Sequence, residues 1–365
     1  MVSEKSFGLP TPALNGLKLT QVVRFPRMRP LLWNGNILYA SRGYELFQSN
    51  MNANSIVWNE VGHYDPAWWR RLSVSTRYAS RLFRDGFHAL GMLSSGEIIA
   101  AVPGAILTLT PGESEFIISH KVIRGTRPLH FAVTPDDRVY WGEYFDNPQC
   151  DEACVYASYD RGVSWNVVYE FPKRSIRHVH NVVYDKWENC LWVLTGDNGS
   201  ECKILRASCD FRTVDVVLSD NQQARAVALV PMEDGLYFSS DTPLELNHVY
   251  KMDRKGNLTT VADLSSSSIY GCRVSDAIFF STMVEPSQVN RTSAVSIYGG
   301  RTGGGPDKRA WTILLSWRKD RWPSSFFQYG NAFLPDGEST SGLLALSTIA
   351  VETNDLEMSV WRVES

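Results

Sequence analysis

Apolar positions along the chain fall in short runs, alternating with polar residues or rich in β-branched and aromatic ones. A Gly, Asp, Asn or Pro cuts these runs about every ten residues. NILYASRG, EIIAAVPG, RVYWGEY, CLWVLTGD, GLYFSSD and AIFFSTM are the clearest. Spacing of three and four, which would put apolar side chains on one helix face, is hard to find anywhere. The pattern predicts an all-β chain of short strands joined by tight turns.

These strands recur in a larger unit: an apolar strand, a turn rich in Asp or Gly, a second strand, a polar loop, then two more strands. Seven such units begin near Leu31, Phe87, Leu129, His178, Arg225, Ile269 and Phe327; the best aligned are RPLHFAVTPDDRVYWGEY, RHVHNVVYDKWENCLWVLTGD and ARAVALVPMEDGLYFSSD. A unit of roughly 40–50 residues carrying four strands is the blade of a β-propeller. The expectation is a single-domain β-propeller over residues 1–365 with seven four-stranded blades. Six is the alternative, because the first and last units are weakly patterned. Residues 1–16 read as a flexible N-terminal segment, and 17–25 (LKLTQVVRF) as a strand available to close the last blade.

Composition narrows the classes. The 365 residues carry 36 basic and 39 acidic side chains, a formal charge of −3, which excludes a basic nucleic-acid footprint and a polybasic membrane anchor. With 44% hydrophobic residues the chain has material for a packed core. No run approaches the roughly 18 uncharged apolar residues of a membrane helix. The first residues lack a basic-then-apolar leader, so a cytoplasmic protein is expected, with export left open. Six cysteines at irregular spacing (Cys150, Cys154, Cys190, Cys202, Cys209, Cys272) read as reduced thiols. A Cys150–Cys154 disulfide, or a zinc site joining that pair to Cys202 and Cys209, is the alternative. GGRTGGG at 299–305 lacks a Walker lysine and a following helix, so it reads as a loop rather than a nucleotide site.

The third unit contains Ser158-Tyr-Asp160-Arg-Gly162-Val-Ser164-Trp165. At this spacing Asp160 can accept hydrogen bonds from the turn backbone, Gly162 can take positive φ and Trp165 re-enters the core. The segment resembles the Asp-box, or bacterial neuraminidase (BNR) repeat, of sialidase-like propellers. Ser208-Cys-Asp210 with Thr213 is a degraded copy, and Trp58 and Trp311 look like further eroded ones. In that family the box is a folding element away from the active site, and members commonly cut glycosidic bonds. The family's FRIP-like arginine motif is absent: LFRDG at 82–86 comes nearest and does not match. Arg177, Arg225 and Arg273 could mimic its arginine triad. Stretches such as IRHVHNVVYD and STMVEPS are similar to a bacterial group labelled glycosyl-hydrolase or BNR-like, a similarity that carries no known reaction with it.

Strand order gives a geometric expectation. In an antiparallel sheet the start of the first strand and the end of the second lie at the same end, so those positions should ring one mouth of the central channel. They are His88; His130 and Glu143, with Tyr144; Arg177, His178, His180 and Asp197; Arg225 and Asp241; Tyr270, Arg273 and Glu285; and Tyr329. Glu143, Asp197, Asp241, His130 and His178 are the candidates for acid–base catalysis. Arg177, Arg225, Arg273, Tyr144, Glu285 and His88 are candidates for binding substrate. His178 and His180, two apart in a strand, share a face and are the candidates for a metal. No cofactor is certain, and a divalent metal is the open possibility. Trp68–Trp69 and WRKDRW (317–322) read as loop aromatics able to stack on sugars.

Three functions fit these ingredients. The first is an enzyme cutting glycosidic bonds of an oligo- or polysaccharide with a carboxylate pair. The second is a lyase on a uronate-containing polysaccharide, which needs Arg or a metal on the carboxylate and His or Tyr for the proton. The third is a non-catalytic propeller binding glycan or protein, since fold alone does not decide function. The partner expected is an oligo- or polysaccharide, with no nucleic acid and no membrane.

Overall fold

The computed structural model describes residues 16–53, 55–74, 76–303 and 310–364. Residues 1–15 of the expected N-terminal segment and the end of the glycine-rich run from 304 lie outside them. Among the described residues no helix is long and apolar enough to cross a membrane. The protein is an all-β propeller. The 29 strands among the described residues divide into five sheets of four and one of nine. Four of the five are consecutive antiparallel meanders, over 89–121, 132–171, 178–218 and 226–264. The fifth runs, inside to outside, Asn331–Phe333, Leu343–Ile349, Glu357–Glu364 and Lys18–Pro26. Lys18–Pro26 pairs antiparallel with Glu357–Glu364, so the two ends of the described chain lie in one sheet.

The number of separate four-stranded sheets is therefore five, where seven or six were expected. The difference lies in Asp336–Ser339. This short strand leaves its own sheet and runs in parallel between Arg29–Gly35 and Ser268–Val274, pairing Leu32 with Asp336 and Arg273 with Glu338. Two meanders, over 29–63 and 268–318, are joined through it into the nine-stranded sheet. Gly337 permits the insertion: its φ is +84°, and a Cβ there would stand 2.1 Å from the Trp33 carbonyl oxygen.

Burial follows position in each sheet. Second strands such as Cys190–Gly196 and Ile98–Val102 are buried throughout, because neighbouring sheets cover both faces, whereas the outer strand Lys18–Pro26 is largely exposed. The core lies between sheets: Val155 and Ala157 of one meet Val179 and Val182 of the next.

The strand reading misses an insertion. Residues 64–87 carry two short helices, Trp68–Ser73 and Arg77–Phe83. Thr76 caps the second by accepting from the Ala79 N–H, and Arg84 ends it in the left-handed region at φ 53°. Trp68 and Trp69 thus belong to a helix. Trp317 lies in the strand Trp311–Arg318, and Trp322 packs edge-on against Tyr78 of the insertion.

Candidate functional site

A cavity of about 860 Å³ opens between the channel mouth and the helical insertion. Eight arginines and five carboxylates line it, so the cavity is basic although the chain is slightly acidic. His88, Tyr144, Arg225, Asp241, Tyr270, Glu285 and Tyr329, all expected at the mouth, are on its wall.

Three lining arginines, Arg29, Arg84 and Arg127, have no ion pair with a carboxylate among the described residues, and Arg29 has a buried Nε without a partner. Burial first, then the charges of Arg29 and Arg84, push the Arg127 guanidinium down to about 10; burial also lowers Arg29. Guanidinium groups stay charged in proteins, so the lowering registers burial of both charges, with repulsion from Arg29 and Arg84 added at Arg127 and partial relief from Asp336 at Arg29. Arg29 lies over the Phe333 ring, 4.0 Å from its centroid, and donates from Nη1 to His88 Nδ1 at 2.9 Å. His88 Nε2 in turn donates to the Arg84 carbonyl at 2.6 Å. Burial and the charges of Arg127 and Arg29 hold this imidazole neutral, well below its usual range. His88 thus orients Arg29, and neither of its nitrogens is free for proton transfer.

The sequence reading overlooked Arg29, Arg84 and Arg127. A signal was present: the tripeptide Arg-Pro-Leu occurs at 29–31 and again at 127–129, each time near the start of a repeat unit, and Arg84 is the arginine of LFRDG.

Arg225 links two carboxylates at the cavity edge. Its Nη2 is 3.3 Å from Asp197 and 3.4 Å from Asp241. Burial pushes the Asp241 carboxyl up to about 7; Arg225 opposes the rise, and Glu285 and Asp197 add to it. Burial also acts to raise Asp197, but hydrogen bonds with His178 and His180 and the charge of Arg225 outweigh it and hold that carboxyl well below the usual range. Two acids sharing one arginine are thereby driven apart, one ready to carry a proton at neutral pH and one ionised. The Tyr144 phenol, 38% exposed at the cavity, is pushed up to about 12, mainly by burial and then by Asp197 and Asp241.

His178 and His180 are buried and converge on Asp197. Their Nε2 atoms are 3.0 Å apart and stand 3.4 and 3.3 Å from Asp197 Oδ1. Tyr144 packs on His178, ring centroids 4.4 Å apart. Arg177 completes the group, 3.8 Å from both Asp197 and Glu201.

Three expected residues do not join. Glu143 follows Trp141 on the same face of its strand, away from the channel; it forms a two-pronged ion pair with Arg124 and accepts from the Cys154 N–H at 2.9 Å. Arg273 lies near the far end of Ser268–Val274, paired across from Ile278, and its guanidinium meets Glu338 at 3.1 Å. His130 is drawn to Asp336 at 2.9 Å in a separate cavity of about 50 Å³ beside the large one. The Asp336–Ser339 insertion supplies the partners of both His130 and Arg273. The six cysteines are free thiols, and among the described residues none belongs to a ligand-like cluster.

The segment Ser158–Trp165 forms a closed turn away from the cavity lining: Asp160 accepts from the Ser164 N–H at 2.8 Å, Ser158 Oγ accepts from the Gly162 N–H at 2.8 Å, and the Trp165 indole donates to Ser119 at 3.2 Å.

No family model and no curated protein sequence matches the chain. Solved structures define the class, a β-propeller. A chain of the mitotic checkpoint complex aligns over 100% of both chains at TM-score 0.57 and 11% identity. The β-propeller domain of Cps50 (Swd1) from Myceliophteria thermophila aligns at TM-score 0.57 and 9% identity, over 95% of this chain and 100% of that one. The WD40 propeller domain of Doa1 aligns at 0.54 and 12%, over 96% and 98%. At these identities the likeness is one of fold.

Proposed function

We propose that the protein is a carbohydrate-active enzyme that cleaves glycosidic bonds in an oligo- or polysaccharide bearing carboxylate groups. The observation that carries this reading is the set Arg29, Arg84 and Arg127, three guanidiniums at the cavity wall with no carboxylate partner. A sugar carboxylate would relieve their repulsion through charge-assisted hydrogen bonds. Asp241 is then the proton donor, its carboxyl kept protonated near neutrality by burial, and Glu285 on the same wall is the second carboxylate. Tyr144 and Tyr329 offer ring faces to the sugar.

Hydrolysis is favoured over elimination because the histidines expected at the mouth are engaged and the Tyr144 phenol stays protonated at neutral pH. His88 is spent between Arg29 and Arg84, His178 and His180 face Asp197, and the Tyr144 phenol is a poor base at neutral pH. The turn at 158–165 is consistent with the sialidase-like resemblance, and the same reading counts the two arms of the nine-stranded sheet as blades, giving seven repeats around the channel.

The test is calorimetric titration with uronate- and sialate-containing oligosaccharides, alongside reducing-end release. Arg127→Ala is expected to weaken binding of the acidic sugars by about tenfold or more, the scale of a hydrogen bond to a charged group, and to leave neutral sugars unaffected. Asp241→Asn is expected to retain binding and lose turnover. Binding without turnover in the wild type would make the protein a glycan-binding propeller, and binding unaffected by Arg127→Ala would remove the reading.

A further inference from the structure

We infer that His178, His180 and Asp197 form a binding site for a single divalent transition-metal ion of the zinc or manganese type. His178 Nδ1 lies 3.0 Å from the Phe145 carbonyl, and His180 Nδ1 lies 3.0 Å from the Ala226 carbonyl. A carbonyl oxygen only accepts, so Nδ1 carries a hydrogen in both rings, and Nε2 is the atom each ring has left to offer an ion. The two Nε2 atoms face each other at 3.0 Å, and the Asp197 Oδ1 stands 3.3 and 3.4 Å from them. Three potential ligand atoms thus converge on one point. A metal ion there would bind all three at once, where a proton on one Nε2 can serve only a hydrogen bond to its neighbour.

Its dimensions suit a metal. A triangle with these sides places each corner about 1.9 Å from its centre. An ion slightly out of the plane therefore reaches the roughly 2.0–2.2 Å that imidazole nitrogen and carboxylate oxygen keep from zinc. It is the one such group of His, Cys, Asp and Glu among the described residues. Both imidazoles donate their other nitrogen to a backbone carbonyl, the outer contact that fixes tautomer and ring orientation in metal sites. Gly196 keeps the space open, since a Cβ there would meet His180 Cε1 at 2.5 Å. Two imidazoles and one carboxylate select a first-row divalent ion over calcium or magnesium. The ligands and the two carbonyl partners of their rings, Phe145 and Ala226, come from three successive sheets or their connections, so the ion pins the mouth ends of these sheets. The site stands independently of the glycan reading.

The test uses the full-length protein, stripped with chelator and titrated with Co(II), Zn(II) and Mn(II). The expected result is one equivalent of Co(II) with visible d–d bands, displaced by zinc, together with a rise in Tm on metal addition. His178→Ala and His180→Ala are each expected to lose stoichiometric binding and the Tm response. If either variant fails to fold, Cu(II) EPR of the wild type decides, with splitting from two imidazole nitrogens expected. Absence of binding at micromolar metal, full stoichiometry in both variants, or a copper spectrum without nitrogen splitting would overturn the site. In the first case a proton, as an imidazolium, would hold the triangle together.

Discussion

Asp241 is buried, faces Arg225, and has Glu285 and Asp197 as further neighbours raising its pKa. Its carboxyl titrates near 3.8 in the unfolded chain and near 7 in the fold, so folding takes up a proton between those values. The stability this group contributes is full in acid and is lost progressively as pH rises from about 4 to about 7, at about 1.4 kcal/mol per pH unit. Asp241→Asn holds the neutral form permanently. The wild-type Tm is expected to fall relative to that of the variant from about pH 4 to about pH 7, then run parallel; superimposable profiles would contradict the burial argument. Asp241 and Asp197 were legible in the sequence because strand ends carry their geometry with them. Their opposite protonation was not, because it depends on how Arg225 and two imidazoles divide between them.

The helical insertion shows what an element needs from the rest of the chain. Helices of six and seven residues are too short to persist by themselves or to display a helical period. This one is held by Arg81, fully buried, which reaches Asp320 at 2.5 Å, Asp355 at 3.7 Å and the Phe327 carbonyl at 2.7 Å. Arg77 adds a bond to Asp355 at 2.5 Å. Arg81→Met removes the buried cation shared by Asp320 and Asp355, which keep only Lys319 and Arg77, and a loss of about 2–3 kcal/mol is expected in urea unfolding, below the roughly 3–5 kcal/mol of a fully stranded buried charge. Because Arg84 ends the same helix, the variant is also expected to weaken binding of acidic sugars. The inserted strand Asp336–Ser339 escaped the sequence reading for a related reason: Pro335-Asp336-Gly337 is a turn signal locally, and only the open backbone edges of Arg29–Gly35 and Ser268–Val274 convert it to a strand.

At the scale of the molecule, the ring depends on a pairing between residues more than 330 positions apart, Lys18 with Glu364 through Pro26 with Glu357. Removing residues 1–26 exposes Glu357–Glu364 as an unpaired edge and leaves the last sheet one strand short. The deletion is expected to lower the urea midpoint and promote self-association, measured by unfolding and size-exclusion chromatography; an unchanged midpoint would show that the ring closes without this strand. The arginine cluster is also a property of the whole ring. Arg29, Arg84 and Arg127 come from chain segments up to about a hundred residues apart, and their convergence requires the channel to close.

What the sequence determined by itself was what local patterning controls. Alternation and turn residues specified strands, and their recurrence specified the propeller. Antiparallel order placed His178, His180, Asp197, Arg225, Asp241 and Glu285 at one end, because side-chain direction in a strand follows from counting. The tertiary structure alone decided which of the expected residues meet. It turned Glu143 toward Arg124, gave Arg273 and His130 to the inserted strand, and gathered three unpaired arginines with a converging His-His-Asp group. Those outcomes depend on distances between separate sheets, which no periodicity within a strand encodes.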